Sequence, residues 1–205
     1  MCSESVMSIS VCKCLGLLMG GFQWKAHEGK VFSLNWTSKN DPDPSVLLFS
    51  CGPDGAMVRL SFIVNSPLCI VQVCWSVHEE DGMFTVSKMT SLSLPHSKHR
   101  WISTVTVLSS SNSHSATVAN PQTTVICGDR KGSVHVYHCI FEPSMAEEPS
   151  SYQEPVQSFR LHGPNGVTSI VAHGPYVYTA GRDGFCRKFS LGSDGFLTEL
   201  SKFKV

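Results

Sequence analysis

Three features of the chain predict an all-β fold. Short apolar segments follow a two-residue period, Gly/Asp/Pro turns separate them, and the same strand–turn–strand grammar recurs three times. The clearest copy covers residues 161–191. The turn His162-Gly163 leads into an apolar strand at 167–172, and Gly174-Pro175 reverses the chain. A second strand runs over 176–180, Gly181-Arg182-Asp183-Gly184 turns again, and a third strand covers 185–191. Strands this short, closed by such turns, indicate antiparallel pairing.

Two further copies lie upstream. In the first, His27-Glu28-Gly29 precedes a strand at 31–36. A second strand at 46–51 meets Gly52-Pro53-Asp54-Gly55, and a third covers 57–63. In the next, His99 precedes a strand at 101–108. The strand at 123–127 meets Gly128-Asp129-Arg130-Lys131-Gly132, and 133–140 follows. Glycine supplies positive φ without steric penalty, and aspartate bonds back to nearby backbone N–H groups. Asp54, Asp129 and Asp183, each able to accept a bond from the histidine that opens its copy (His27, His99, His162), therefore read as structural. One catalytic site does not need three copies. Modules of this kind predict a WD-repeat β-propeller, here partial, with about three degenerate blades. The Trp-Asp dipeptide is absent; Leu60-Ser61, Val136-Tyr137 and Phe189-Ser190 stand near its place. Both intervals between the turns exceed the roughly 40–45 residues of a typical blade, and polar inserts account for the excess.

Residues 1–24 do not fit the repeat and read as an atypical N-terminus or the remnant of a preceding blade. The first blade takes 25–77, with 70–77 as its fourth strand. In 57–62, Val58, Leu60 and Phe62 alternate with Met57, Arg59 and Ser61, the period of a half-buried strand. Residues 78–98 read as a connector, acidic at first and proline-containing later. The second blade takes 99–159. It is interrupted by the Ser/Asn-rich insert 109–122 and by 141–156, rich in Pro, Glu and Ser, which reads as a solvated loop before a fourth strand at 157–159. The third blade takes 160–205, with a turn at Asp194-Gly195 and a further strand from Phe196. A propeller protects its sheet edges by closing a ring of roughly four to eight blades, so three visible blades imply a fragment or a chain that docks on others.

Hydrophobic residues make up 41% of the chain, enough for a packed core. Formal net charge is zero, so any nucleic-acid contact must come from a local patch rather than a global field. The nine cysteines form no CxxC pair, and several fall inside strands, where a reduced thiol behaves as a small apolar group. Such usage favours a reducing compartment over secretion. His135 and His138 share a strand but face opposite sides, and no G-x-S-x-G elbow or Gly-rich nucleotide loop occurs. These features predict no enzyme, no cofactor and no metal site. Residues 6–22 are apolar but interrupted by Lys13 and glycines, which disfavours a membrane span.

Three strings are more specific than the generic blade: KVFSLNW from Lys30, HRWISTV from His99 with CGDRKGS from Cys127, and GVTSIVAHGPYVYTAGRDG from Gly166. Their order and wording resemble the middle of the WD repeat-containing protein 6 family, the WD-repeat partners of FtsJ-like tRNA 2′-O-methyltransferases. The resemblance covers about 29–198. It implies a cytoplasmic, non-catalytic scaffold that binds an FtsJ-like tRNA 2′-O-methyltransferase and helps present tRNA for ribose methylation at the wobble position. The methyl-transfer chemistry then belongs to the partner.

Basic residues fit that expectation. Lys98, Arg100, Arg130 and Lys131 belong to one repeat, and Arg182, Arg187 and Lys188 to the next; on adjacent blades they would share a rim and contact RNA phosphates or a protein partner. Trp101 and Tyr137 are candidates for base stacking. The alternative is a generic WD-repeat scaffold with other protein partners, because a fold does not specify its ligand.

Overall fold

The computed structural model describes residues 7–15, 18–27, 31–38, 46–51, 69–80, 83–94, 101–109, 122–140 and 152–205. Every regular element among them is a strand. Strands β1 (Met7–Leu15) and β2 (Leu18–His27) form a two-stranded antiparallel sheet, with Cys12 opposite Gly21. His27 ends β2 opposite Met7. Its backbone therefore belongs to a strand rather than to the turn expected to open the first blade. Its supposed partner Asp54 lies outside the described residues.

Strands β3 (Ser33–Ser38), β4 (Val46–Cys51), β5 (Cys69–Glu80) and β6 (Met83–Leu94) form an antiparallel meander. Here the structure corrects the expected boundary at residue 77. The supposed connector 78–98 supplies the end of β5 and all of β6, and Glu80 pairs with Met83. The physical reason is local alternation. Ser91-Leu92-Ser93-Leu94 alternates polar and apolar residues, and Leu92 and Leu94 are buried. The strand expected at 57–63 lies outside the described residues.

Strands β7 (Ile102–Ser109), β8 (Gln122–Asp129) and β9 (Ser133–Ile140) begin the next meander. After β9 the chain does not remain on its own sheet. Tyr152–Gln153 (β10) adds in parallel to β6, with Tyr152 opposite Ser91, and only then does β11 (Gln157–Arg160) return beside β9. Within the stretch expected to be a solvated loop, Tyr152–Gln153 thus ties one sheet to its neighbour. The last sheet is β12 (Val167–His173), β13 (Tyr176–Gly181), β14 (Phe185–Leu191) and β15 (Leu197–Lys204), in that order.

The three meanders stand side by side with their first strands together. β7 packs against β3 on one side and β12 on the other. This is the radial arrangement of propeller blades. Local detail repeats as well. The register slips at Ser103 in β7 and at Thr168 in β12. The two hydroxyls make equivalent bonds across the sheet, Ser103 Oγ to the Gly128 carbonyl at 3.1 Å and Thr168 Oγ1 to the Ala180 carbonyl at 3.0 Å.

Two apolar layers hold the stack. Phe49, Cys51, Leu92 and Leu94 of the first meander meet Ile102, Val105, Val125, Cys127, Tyr137 and Cys139 of the second. Ile126, Val134 and Val136 on the second meander's other face meet Val167, Ile170, Val177, Phe189 and Leu197 of the third. The middle sheet is therefore covered on both faces, and residues 123–129 are buried without a break. In β15 only Leu197 is buried, and Val171 of β12 is 55% exposed. Phe189 sits at the centre of the second layer, beside Phe159 at a ring separation of 5.9 Å. Phe189→Ala should cost about 3–5 kcal/mol, read as a lower urea midpoint. Val171→Ala on the open face should change stability by no more than about 0.5 kcal/mol.

Candidate functional site

The turns between second and third strands carry the chemistry that the sequence singled out, but their aspartates are not equivalent. The Arg130 N–H donates to the Trp101 carbonyl, and the Arg182 N–H donates to the Gly166 carbonyl in the matching place. Gly132 N–H reaches back to Asp129 O and Gly184 N–H to Gly181 O, both at 3.2 Å. Asp129 therefore corresponds to Gly181, and Asp183 to Lys131. This corrects the expectation of one shared glycine–aspartate corner, because the earlier turn carries one more residue between its glycines.

Each aspartate nevertheless satisfies the first N–H of the following strand. Asp129 Oδ1 accepts from Ser133 N–H at 2.8 Å and from Lys131 N–H at 2.9 Å. Asp183 Oδ1 accepts from Phe185 N–H at 3.2 Å. The histidines differ too. His99 lies outside the described residues, and the described histidine at Asp129 is His135, with Nε2 3.3 Å from Oδ2 and Nδ1 2.8 Å from Ser158 Oγ. His162 Nδ1 lies 2.9 Å from Asp183 Oδ1, and its Nε2 lies 2.9 Å from Thr179 Oγ1. The imidazole of His162 packs where a side chain on Gly181 would stand. The Ser158–His135–Asp129 chain ties β11 to β9, with Asp129 Oδ1 bonded to the turn N–H groups and Oδ2 facing His135.

Buried thiols offer no nucleophile. Burial raises Cys51 to about 12, partly opposed by a hydrogen bond to the Ser33 backbone, and burial raises Cys139 to about 12. Burial, reinforced by the neighbouring Cys51, Asp129 and Cys139, pushes Cys127 well up against a smaller lowering by Tyr137. Among the described residues no cluster of three His, Cys, Asp or Glu side chains could hold a metal, and no helix is long and apolar enough to cross a membrane.

A concavity lies where the second and third meanders meet. It is a groove of about 650 Å³ lined by Trp101, Arg130, Lys131, Arg160, Pro164, Asn165 and Arg182. The backbone builds it. Leu161 N–H and His162 N–H both donate to the Gly132 carbonyl, at 3.0 and 2.9 Å, which lays the linker 161–166 against the turn 129–132. Gly166, at φ 92°, allows that approach, since a Cβ there would fall 2.8 Å from the Arg130 Cα. The Arg130 guanidinium lies over the Trp101 indole, 5.3 Å from its centroid. Among its described lining residues the groove has four cations and no carboxylate.

The structure brings together Arg130, Lys131 and Arg182 from the expected rim. Lys98 and Arg100 lie outside the described residues. Arg187 is elsewhere: its guanidinium donates to the Leu161 carbonyl at 2.7 Å and to both Glu199 carboxylate oxygens at 3.0 Å. It points to the covered side of β14 and braces the sheet. Lys188 lies on the opposite face of β14, 3.7 Å from the Tyr176 ring centroid. Tyr137 is fully buried in the apolar layer and is closed to any base. Sequence reasoning missed Arg160 and Asn165. Arg160 ends a short strand with alternating exposure, and that alternation was the available signal.

No family model matches the chain. Curated relatives do. The tRNA (34-2'-O)-methyltransferase regulator WDR6 of Rattus norvegicus is 29% identical over 181 residues, covering 77% of this chain. The Bos taurus protein of the same name is 29% identical over 182 residues, and the Homo sapiens protein 28% over 182. The chain spans 14% of the length of these relatives. The chain is therefore similar to one segment of these regulators, in keeping with the resemblance carried by the three strings. Among solved structures, the β-propeller domain of Cps50 (Swd1) from Myceliophteria thermophila aligns with a TM-score of 0.40 and 11% identity. It covers 89% of this chain and 61% of that one.

Burial raises the Asp183 carboxyl, but bonds from His162 and Phe185 N–H, the charge of His162 and the Gly163 backbone outweigh it and hold the carboxyl below its usual value. A lowered carboxylate contributes stability that is present above the unfolded value and lost as pH falls through the folded one. Thermal melts across about pH 2–6 should therefore show a shallower acid limb for Asp183→Asn than for the wild type.

Proposed function

We propose that this chain forms part of a non-catalytic WD-repeat regulatory scaffold. In this reading the scaffold supports ribose 2′-O-methylation at the tRNA wobble position by holding tRNA for an FtsJ-like methyltransferase. The observation that carries it is the alignment of about three quarters of the chain with proteins named as regulators of the tRNA 34-2'-O-methyltransferase. The stacked meanders support a scaffold role, because rigid sheets present turns and linkers at set distances from one another. Methyl transfer, with its cofactor, is assigned to the partner.

The free thiols among the described residues suit a reducing compartment, and the cytoplasm is the proposed location. A generic WD-repeat scaffold with unrelated protein partners is the competing reading, since a sheet stack serves many ligands.

Tagged protein should co-purify with an FtsJ-like methyltransferase, and deletion of its gene should lower wobble-ribose methylation measured by nucleoside mass spectrometry. Unchanged methylation, or a partner set without any methyltransferase, would favour the generic scaffold.

A further inference from the structure

We propose that the groove between the second and third meanders binds the phosphodiester backbone of a single RNA strand. The choice of RNA as the source of phosphate rests on the tRNA-linked role above; the anion site itself rests on geometry. Its cations come from three separate elements. Arg130 and Lys131 stand on the turn between β8 and β9, Arg160 ends β11, and Arg182 stands on the turn between β13 and β14. They are distant in sequence, and they converge because the linker 161–166 is bonded to the turn before it.

Arg130, Arg160 and Arg182 are exposed, and no described carboxylate lines the space between them. Like charges gathered around a concavity focus a positive potential into it. A guanidinium offers parallel N–H groups in a fork that fits a phosphate. Arg130 is held over the half-buried Trp101 indole, which limits its freedom before any ligand arrives. An aromatic ring beside a row of cations is the combination used for single strands. Asn165 adds an amide that can donate to a phosphate or pair with a base edge.

The test uses the full chain and a short fluorescein-labelled oligouridylate, with anisotropy titrations over a salt series. Combined Arg130→Gln, Arg160→Gln and Arg182→Gln should weaken binding at least about tenfold. It should also reduce the slope of log affinity against log salt by about 0.7 for each phosphate no longer neutralised. Replacing the same arginines by lysine keeps the charge and should preserve most of the slope. Lys202→Gln with Lys204→Gln, on exposed positions of β15, should leave binding unchanged. Wild-type affinity in the glutamine variant would overturn the proposal, as would an equal loss in the β15 control. Displacement of the RNA by an equal concentration of polyglutamate peptide would overturn it in favour of an acidic protein partner. Methyltransferase co-purification is scored separately. Its loss with RNA binding intact refutes the partner reading alone, and its persistence with RNA binding absent refutes the groove alone.

Discussion

The close approach of two backbone segments governs this structure. The linker 161–166 lies directly on the turn 129–132, through the Gly132 carbonyl that receives two N–H groups and through Gly166, where any side chain would strike Arg130. Buried backbone donors must find acceptors, and here each segment supplies what the other lacks. The contact sets the position of the third meander against the second. On the inner side Ser103 reinforces it, with Oγ 2.6 Å from the Val167 carbonyl. On the outer side Gln157 both donates to and accepts from Leu197, while His138 bonds the Gly195 carbonyl. Between these polar ties lies the apolar layer centred on Phe189, which contributes most of the driving force.

The same contact makes the groove. Residues with no local reason to meet, Arg160 at a strand end and Arg130 and Arg182 on two different turns, share one space because the linker is short and bonded to the turn before it. Gathering cations with no carboxylate among the described lining residues costs electrostatic energy in the unliganded protein. A stack held by buried apolar contacts and backbone hydrogen bonds offsets that cost, so the turns are free to carry charge.

Legibility in the sequence followed the range of the determining interactions. The third meander was readable nearly strand by strand, since alternation in 176–180 and tight glycine turns are local signals. Strand β6 was missed because the acidic residues just before it, Glu79, Glu80 and Asp81, suggested a connector, and its pairing partner β5 settles the matter instead. Strand β10 was missed for a related reason. Tyr152 and Gln153 carry no strand pattern of their own; the free edge of β6 recruits them. At the turns, residue types were right and equivalence was wrong. An aspartate two positions earlier satisfies the same N–H group, so Asp129 and Asp183 look alike in sequence while occupying different places. Among the basic residues, Arg187 was indistinguishable from Arg182 until Glu199 and the Leu161 carbonyl were seen around it.

By itself the sequence determined the all-β class, the repeated meanders and the glycine–aspartate turns, because two-residue alternation and positive φ are properties of neighbours along the chain. Tertiary structure alone decided which face of each sheet is covered, that β10 crosses to the preceding sheet, and which of the six arginines converge on one groove. Those outcomes depend on hydrogen bonds and van der Waals contacts between residues tens of positions apart, and no local pattern encodes them.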